Sequence, residues 1–332
     1  LSINVAGTKA FFDIMKILQN DTNPNDYYWN NLFSIPGYRT LIENEFKKDF
    51  LKSNFQLAFM PSKKSKRENI LNSDEDIRKR YINHYIKAKK YKEKIFTLLN
   101  RWEQSLKTRT IIEETLEYLP IKDIDDYPEV SFLVFENDAR GYSPIVIDVL
   151  FAINIDEFLP HLLAHEAHHF FRNKLLCFNK EDIKKEDEEL MWVINQIHSE
   201  GIADQIDKNE WFYKGYKNIR NKGLKQFARK YRELVENSSE LIYKLDDKFN
   251  QIYDGLNNGE IKIKKDVPMS GHTIGFFMTN TILKVYDKSE FIKNVGNPFE
   301  FFKIYNRAAE KINETKFSKK SIKLIIELEN KY

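Results

Sequence analysis

The segment His161-Leu162-Leu163-Ala164-His165-Glu166-Ala167-His168-His169 constrains this chain more than any other stretch. It holds four of the seven histidines, and Phe158, Leu159, Phe170 and Phe171 flank it. A run this apolar is buried, and burying ionisable side chains is costly unless they bind something. Helical spacing resolves the conflict. At about 100° per residue, His165 and His169 stand about 40° apart on one face, so both imidazoles reach a single ion. Glu166 is one residue off that line, placed to reach a water on the ion without binding the ion itself. This is the His-Glu-x-x-His pattern. The spacing predicts a helix over 157–176, with Asp156 as its N-cap and Pro160 tolerated in the first turn.

A catalytic zinc takes three protein ligands and leaves a fourth position for water. The third ligand is expected on a neighbouring helix, predicted over 186–207, whose acidic start suits a helix N-terminus. Glu200 is the choice, because the chain between it and His169 is long enough for a loop and a return helix. Ile197, Gly201 and Ile202 make its surroundings apolar, and Gly201 permits close helix approach. Asp204, one turn further on, is placed to accept the other ring N–H of His165. His161, His168 and His198 point elsewhere on their helices and read as structural or as supports behind the ligands rather than as ligands themselves. His84 and Cys177 have no clear partner, and Cys177 reads as a buried free thiol.

Turn-forming residues are scarce. Gly is 11 and Pro 9 of 332, each about 3%, against the usual ~7% and ~5%. That disfavours a many-stranded sandwich or barrel and favours long helices. Apolar spacing predicts helices over 10–18, 74–106, 274–286 and 298–312. Between 227 and 256 it fits two helices or one broken helix, closed by the turn Asn257-Asn258-Gly259. Residues 130–135 and 145–149 read as short strands separated by a turn at 137–141. The expected fold is α+β and predominantly helical, with a helical N-terminal part over 1–120 and a catalytic core over 121–332, the two forming one compact unit.

Lys plus Arg number 53 and Asp plus Glu 50, a net charge of +3, which gives no global bias toward nucleic acid or anionic membrane. The basic stretches Lys63 to Arg67 and Lys87 to Lys94 read as solvated surface. No run approaches the ~18 apolar residues of a spanning helix. The single cysteine excludes an internal disulfide framework. With no signal-peptide pattern in view, it points to the cytoplasm.

His165-Glu166-Ala167-His168-His169 followed by Glu200-Gly201-Ile202-Ala203-Asp204 resembles the gluzincin clan of zinc metallopeptidases. The chain as a whole is similar to an uncharacterised bacterial family of zinc-dependent peptidases in that clan. The stretches that carry this are Ile147-Asp148-Val149, Gly271-His272-Thr273-Ile274-Gly275-Phe276-Phe277-Met278 and Asn297-Pro298-Phe299-Glu300-Phe301-Phe302. The resemblance covers roughly Trp29 onward. It implies a zincin-like core with a small sheet next to the active-site helix. An edge of that sheet, supplied by 130–135 or 145–149, would pair with a substrate peptide. It also implies one Zn2+ per chain, held by His165, His169 and Glu200. Glu166 is then the general base, and a donor from the C-terminal part stabilises the oxyanion. His272 is the leading candidate for that donor, ahead of Tyr142 and Tyr286. A peptide or protein substrate follows. A non-peptide amide hydrolase and a catalytically silent metal-binding protein stand as alternatives.

Overall fold

The computed structural model describes residues 1–106, 108–121, 126–255 and 262–332. The fold is predominantly helical with one small sheet, as the sequence predicts. The turn expected at Asn257 to Gly259 lies outside the described residues. Among those described, no helix is long and apolar enough to cross a membrane. The chain forms two compact units, Leu1–Thr110 with Asp125–Pro160, and Ile111–Ile124 with His161–Tyr332. This division differs from one at residue 120, because the strands beyond 130 pair with the start of the chain.

The first unit holds the sheet. Its strands are β1 (Ile3–Asn4), β2 (Val130–Leu133), β3 (Ala139–Arg140) and β4 (Ile145–Asp148), in spatial order β1-β2-β4-β3. β1 and β4 both run parallel to β2, and β3 runs antiparallel to β4. Parallel strands are covered on both faces, and β2 and β4 are buried at every position. The expectation that either supplies a free edge is therefore corrected. Both are interior strands, and the edges are β1 and β3.

Asp148 ends β4 and is fully buried. One of its oxygens caps the next helix at Leu150 N and Phe151 N, 2.9 and 3.0 Å away. The other accepts from Phe135 N at 3.0 Å and meets His84 Nε2 at 2.8 Å. His84 thus has the partner that its sequence neighbourhood does not reveal. The single helix predicted over 74–106 is two, Arg78–Lys90 and Lys92–Ser105, interrupted at Tyr91. Each half packs on a different neighbour, Tyr85 on Phe55 (4.6 Å between ring centres) and Trp102 on Phe132 (5.1 Å). Asp156 does not cap the following helix. Its carboxylate is taken by Arg101 and by Trp102 Nε1.

The second unit is helical. The predicted segments appear as Leu159–Lys174, Glu188–Asp207, His272–Leu283 and Pro298–Lys311. The 227–256 region is two helices, Lys222–Glu236 and Ser238–Tyr253, hinged at Asn237. A further helix, Lys319–Lys331, lies beyond the predicted segments. Cys177 is exposed rather than buried. It falls in the loop after Lys174, where its backbone N–H reaches Gly296 O at 3.1 Å.

Candidate metal centre

Three helices of the second unit build the site. Leu159–Lys174 carries the histidines, and it buries Leu163, Ala164, Ala167 and Phe171 with them. Glu188–Asp207 is buried without interruption from Ile197 to Gln205. An apolar helix can carry so many acids only if other groups answer their charge. The third helix, His272–Leu283, crosses the second at a pair of glycines. A Cβ on Gly275 would lie 2.0 Å from Ile197 O and 2.8 Å from Gly201 Cα, so only glycine allows this approach. The approach sets His272, at the start of the third helix, against Glu200 and Asp204. The preceding turn is strained. Met269, Ser270 and Gly271 have φ of 48°, 51° and 93°, and each non-glycine residue there costs about 1–2 kcal/mol. Strain of this kind persists where the surroundings over-determine it.

The geometry brings His165, His169 and Glu200 together. His165 Nε2 is 3.0 Å from His169 Nε2. Glu200 Oε2 is 3.4 Å from the first nitrogen and 3.2 Å from the second. The outer nitrogens are engaged elsewhere. His165 Nδ1 meets Asp207 Oδ1 at 3.0 Å, and His169 Nδ1 meets Ser199 Oγ at 2.8 Å. The Nε2 atoms therefore face each other, and two ring nitrogens at that distance need a proton or a cation between them. Glu200 Oε1 accepts from Gln196 at 2.6 Å. Glu200 Oε2 is buried with no hydrogen-bond partner among the described residues.

Electrostatics repeat the demand for positive charge. Burial alone would raise the Glu200 carboxyl, but the imidazoles of His272 and His169 outweigh it and hold it well below the usual range. Burial opposes a charge on His165, yet Asp207 pushes its pKa well above that of free imidazole.

Behind the three lies a second layer that the sequence only partly revealed. Asp204 was expected to accept from His165, but its Oδ1 is 3.7 Å from that ring, and Asp207 takes the role. Asp204 instead meets His272 Nδ1 at 2.9 Å, Lys208 Nζ at 2.6 Å and the Tyr231 hydroxyl at 2.8 Å. Asp207, Lys208, Ser199 and Tyr231 join this layer without a motif that marks them. A signal for the first was present, since Glu200, Asp204 and Asp207 share one helical stripe at i, i+4 and i+7.

Among the described residues, three groupings can hold a metal: His165 with His169 and Glu200; His165 with Asp204 and Asp207; Glu200 with Asp204 and His272. The second and third both need Asp204, whose oxygens already carry an ammonium and a phenol. The first and the third both contain the orphaned Glu200 Oε2, but only the first does without Asp204. Donors about 2.0–2.1 Å from one zinc at tetrahedral angles lie about 3.3 Å apart. The observed 3.0, 3.2 and 3.4 Å fit that spacing.

The remaining histidines point away, as expected. His161 Nδ1 meets Glu114 at 2.7 Å, His168 Nε2 the Tyr118 carbonyl at 3.2 Å, and His198 Nδ1 accepts from Arg172 at 2.8 Å. Glu166 is buried beside His165. Tyr142 donates to Glu45 at 3.0 Å, and Lys311 sits 4.4 Å over the Tyr286 ring.

Two imidazoles and a carboxylate converging on one point, with a glutamate next to the first imidazole, define a candidate metal centre. The chain belongs to the family described as "Putative zinc dependent peptidase (DUF5700)", whose model matches residues 29–314. No curated protein and no solved structure matches it.

Proposed function

We propose that this chain is a zinc metallopeptidase of the gluzincin type, in which His165, His169 and Glu200 hold one Zn2+. The observation that carries the reading is the buried Glu200 Oε2, which makes no hydrogen bond among the described residues and faces two Nε2 atoms at tetrahedral donor spacing. The family description supports the same metal and reaction.

When bound, zinc supplies Lewis acidity toward a scissile carbonyl and lowers the pKa of a water. The chain's own residues do the rest. Asp207 and Ser199 fix the ring orientations of His165 and His169 from behind. The Glu166 carboxylate takes the proton of the attacking water and delivers it to the leaving amine. His272 holds Nδ1 toward Asp204 and Glu200, 2.9 and 3.2 Å away, which leaves Nε2 to face a substrate. Burial disfavours its charge, but Asp204 and Glu200 raise its pKa. The imidazolium so favoured keeps a proton on Nε2 to donate to the developing oxyanion. The substrate is a peptide or protein.

Two measurements test the reading. Metal analysis of the purified chain is expected to give one zinc per chain, lost in His165→Ala. Glu166→Gln is expected to keep the zinc and lose peptide hydrolysis. A Glu166→Gln variant that cleaves at the wild-type rate would refute the assigned mechanism.

A further inference from the structure

We propose that Lys208 is a positioning residue of the metal centre, clamping the two carboxylates that orient His165 and His272. The inference rests on the metal-centre reading above and goes beyond its ligand set.

Lys208 is 7% exposed, unusual for a lysine. Its ammonium lies 2.6 Å from Asp204 Oδ1, and 3.2 and 3.0 Å from the two oxygens of Asp207. Each carboxylate passes the constraint inward, Asp207 to His165 Nδ1 at 3.0 Å and Asp204 to His272 Nδ1 at 2.9 Å. The Lys208 backbone is fixed on both sides. Its N–H closes the helix on Asp204 O at 3.0 Å, and its carbonyl accepts from both Phe212 N and Tyr213 N at 2.9 Å. Those two bonds open the π-turn Asn209–Lys214, a rare geometry that local propensity does not favour.

Charge explains why a cation is placed there. Glu200 and Asp204 are buried and Asp207 is half-buried, and Asp204 lies within 4.8 Å of each of the other two. Against them stands the Lys208 ammonium, which together with the His272 imidazolium still leaves a net negative charge for a cation to answer when His165 and His169 are neutral. Without Lys208, Asp204 and Asp207 would repel each other and could not both hold their imidazoles.

The test is metal binding, not turnover. Zn2+ affinity is measured by competition with a chromophoric chelator, and the site is read by the visible absorption of bound Co2+. Lys208→Met is expected to weaken Zn2+ about 10- to 100-fold, the usual cost of losing an outer hydrogen-bond partner, and to shift the Co2+ bands. In an Asp207→Asn background the same change is expected to cost much less, because the carboxylate it acts through is gone. If Lys208→Met does not fold, Lys208→Arg keeps the charge but moves its donors, and its Co2+ bands are expected to shift. Wild-type affinity and bands in Lys208→Met, or wild-type bands in Lys208→Arg, would overturn the proposal. So would tighter Zn2+ binding by Lys208→Met, which would make Lys208 only a charge that opposes the metal. Failure of the wild-type chain to bind Zn2+ would overturn the metal centre itself, and this inference with it.

Discussion

Gly275→Ala separates the fold's contribution to the site from that of the ligands. The new Cβ would sit 2.0 Å from Ile197 O and 2.8 Å from both Gly201 Cα and Gly201 N. All three are backbone atoms, so no side chain can swing aside. Contacts of this kind do not fall below 3.0 Å, so the two helices must part locally by about 1 Å. Alanine favours a helix over glycine by about 1 kcal/mol, while overpacking of this kind costs about 1–3 kcal/mol and sometimes more. The expected net loss is up to about 2 kcal/mol, or up to roughly 8 °C in melting temperature for a domain of this size. The consequence for the metal is larger. Glu200 adjoins Gly201 and His272 lies three residues before Gly275, so the displacement reaches both. Metal–ligand distances tolerate only about 0.2 Å, and Zn2+ affinity is expected to fall by at least about tenfold. Calorimetric melting with and without Zn2+, together with chelator competition, reads both effects. Gly223→Ala is the control: that glycine is exposed, and a Cβ there meets only Asn221 Oδ1 at 3.5 Å. It is expected to leave both readouts unchanged or to stabilise slightly. A Gly275→Ala protein with wild-type melting and wild-type Zn2+ affinity would refute the glycine crossing as the device that sets the site.

Asp207→Asn is expected to weaken Zn2+ about 10- to 100-fold by loosening His165, whereas Asp204→Asn is expected to act mainly on stability. It leaves Lys208 short of a partner in a buried ion pair, at a cost of about 3–5 kcal/mol in urea unfolding. Chelator-treated protein is expected to lose stability as pH falls below about 4. Burial alone would raise Asp204 and Asp207, but His272, His165 and Lys208 hold both carboxyls low, so their contribution is present above the unfolded value and lost in acid. His165 has the opposite sign. Its pKa is raised despite burial, so its contribution is present below about 6.5 and lost as pH rises through the folded value. Melting temperatures across pH, with and without Zn2+, are expected to show an alkaline decline that the metal removes. Cys177, being exposed, is expected to react with a thiol reagent in the native protein without prior unfolding. Labelling that required denaturant would contradict its placement.

Which parts of this site could be read from the sequence follows from the range of the physics involved. His165, Glu166 and His169 are tied by helical period alone, and the period is local. Glu200 needed one further step, that a carboxylate in an apolar setting requires a cation. Asp204 and Asp207 mark where local physics ends. They share a helical stripe with Glu200, and nothing within the helix says which of them meets His165. That choice depends on how the helices cross, and Gly201 and Gly275 set the approach of one pair from distant parts of the chain. Lys208 was invisible for the same reason. A lysine directly after an aspartate at a helix end reads as solvated, and only the packed helices turn it inward. β1 is a parallel case, since two residues, Ile3 and Asn4, carry no periodicity and gain meaning only beside Val130 and Ser131. Ligands chosen by local chemistry and orienters chosen by distant packing have different weaknesses. A ligand is lost by its own substitution, whereas the approach of His272 to Asp204 can also be undone by one methyl group on Gly275.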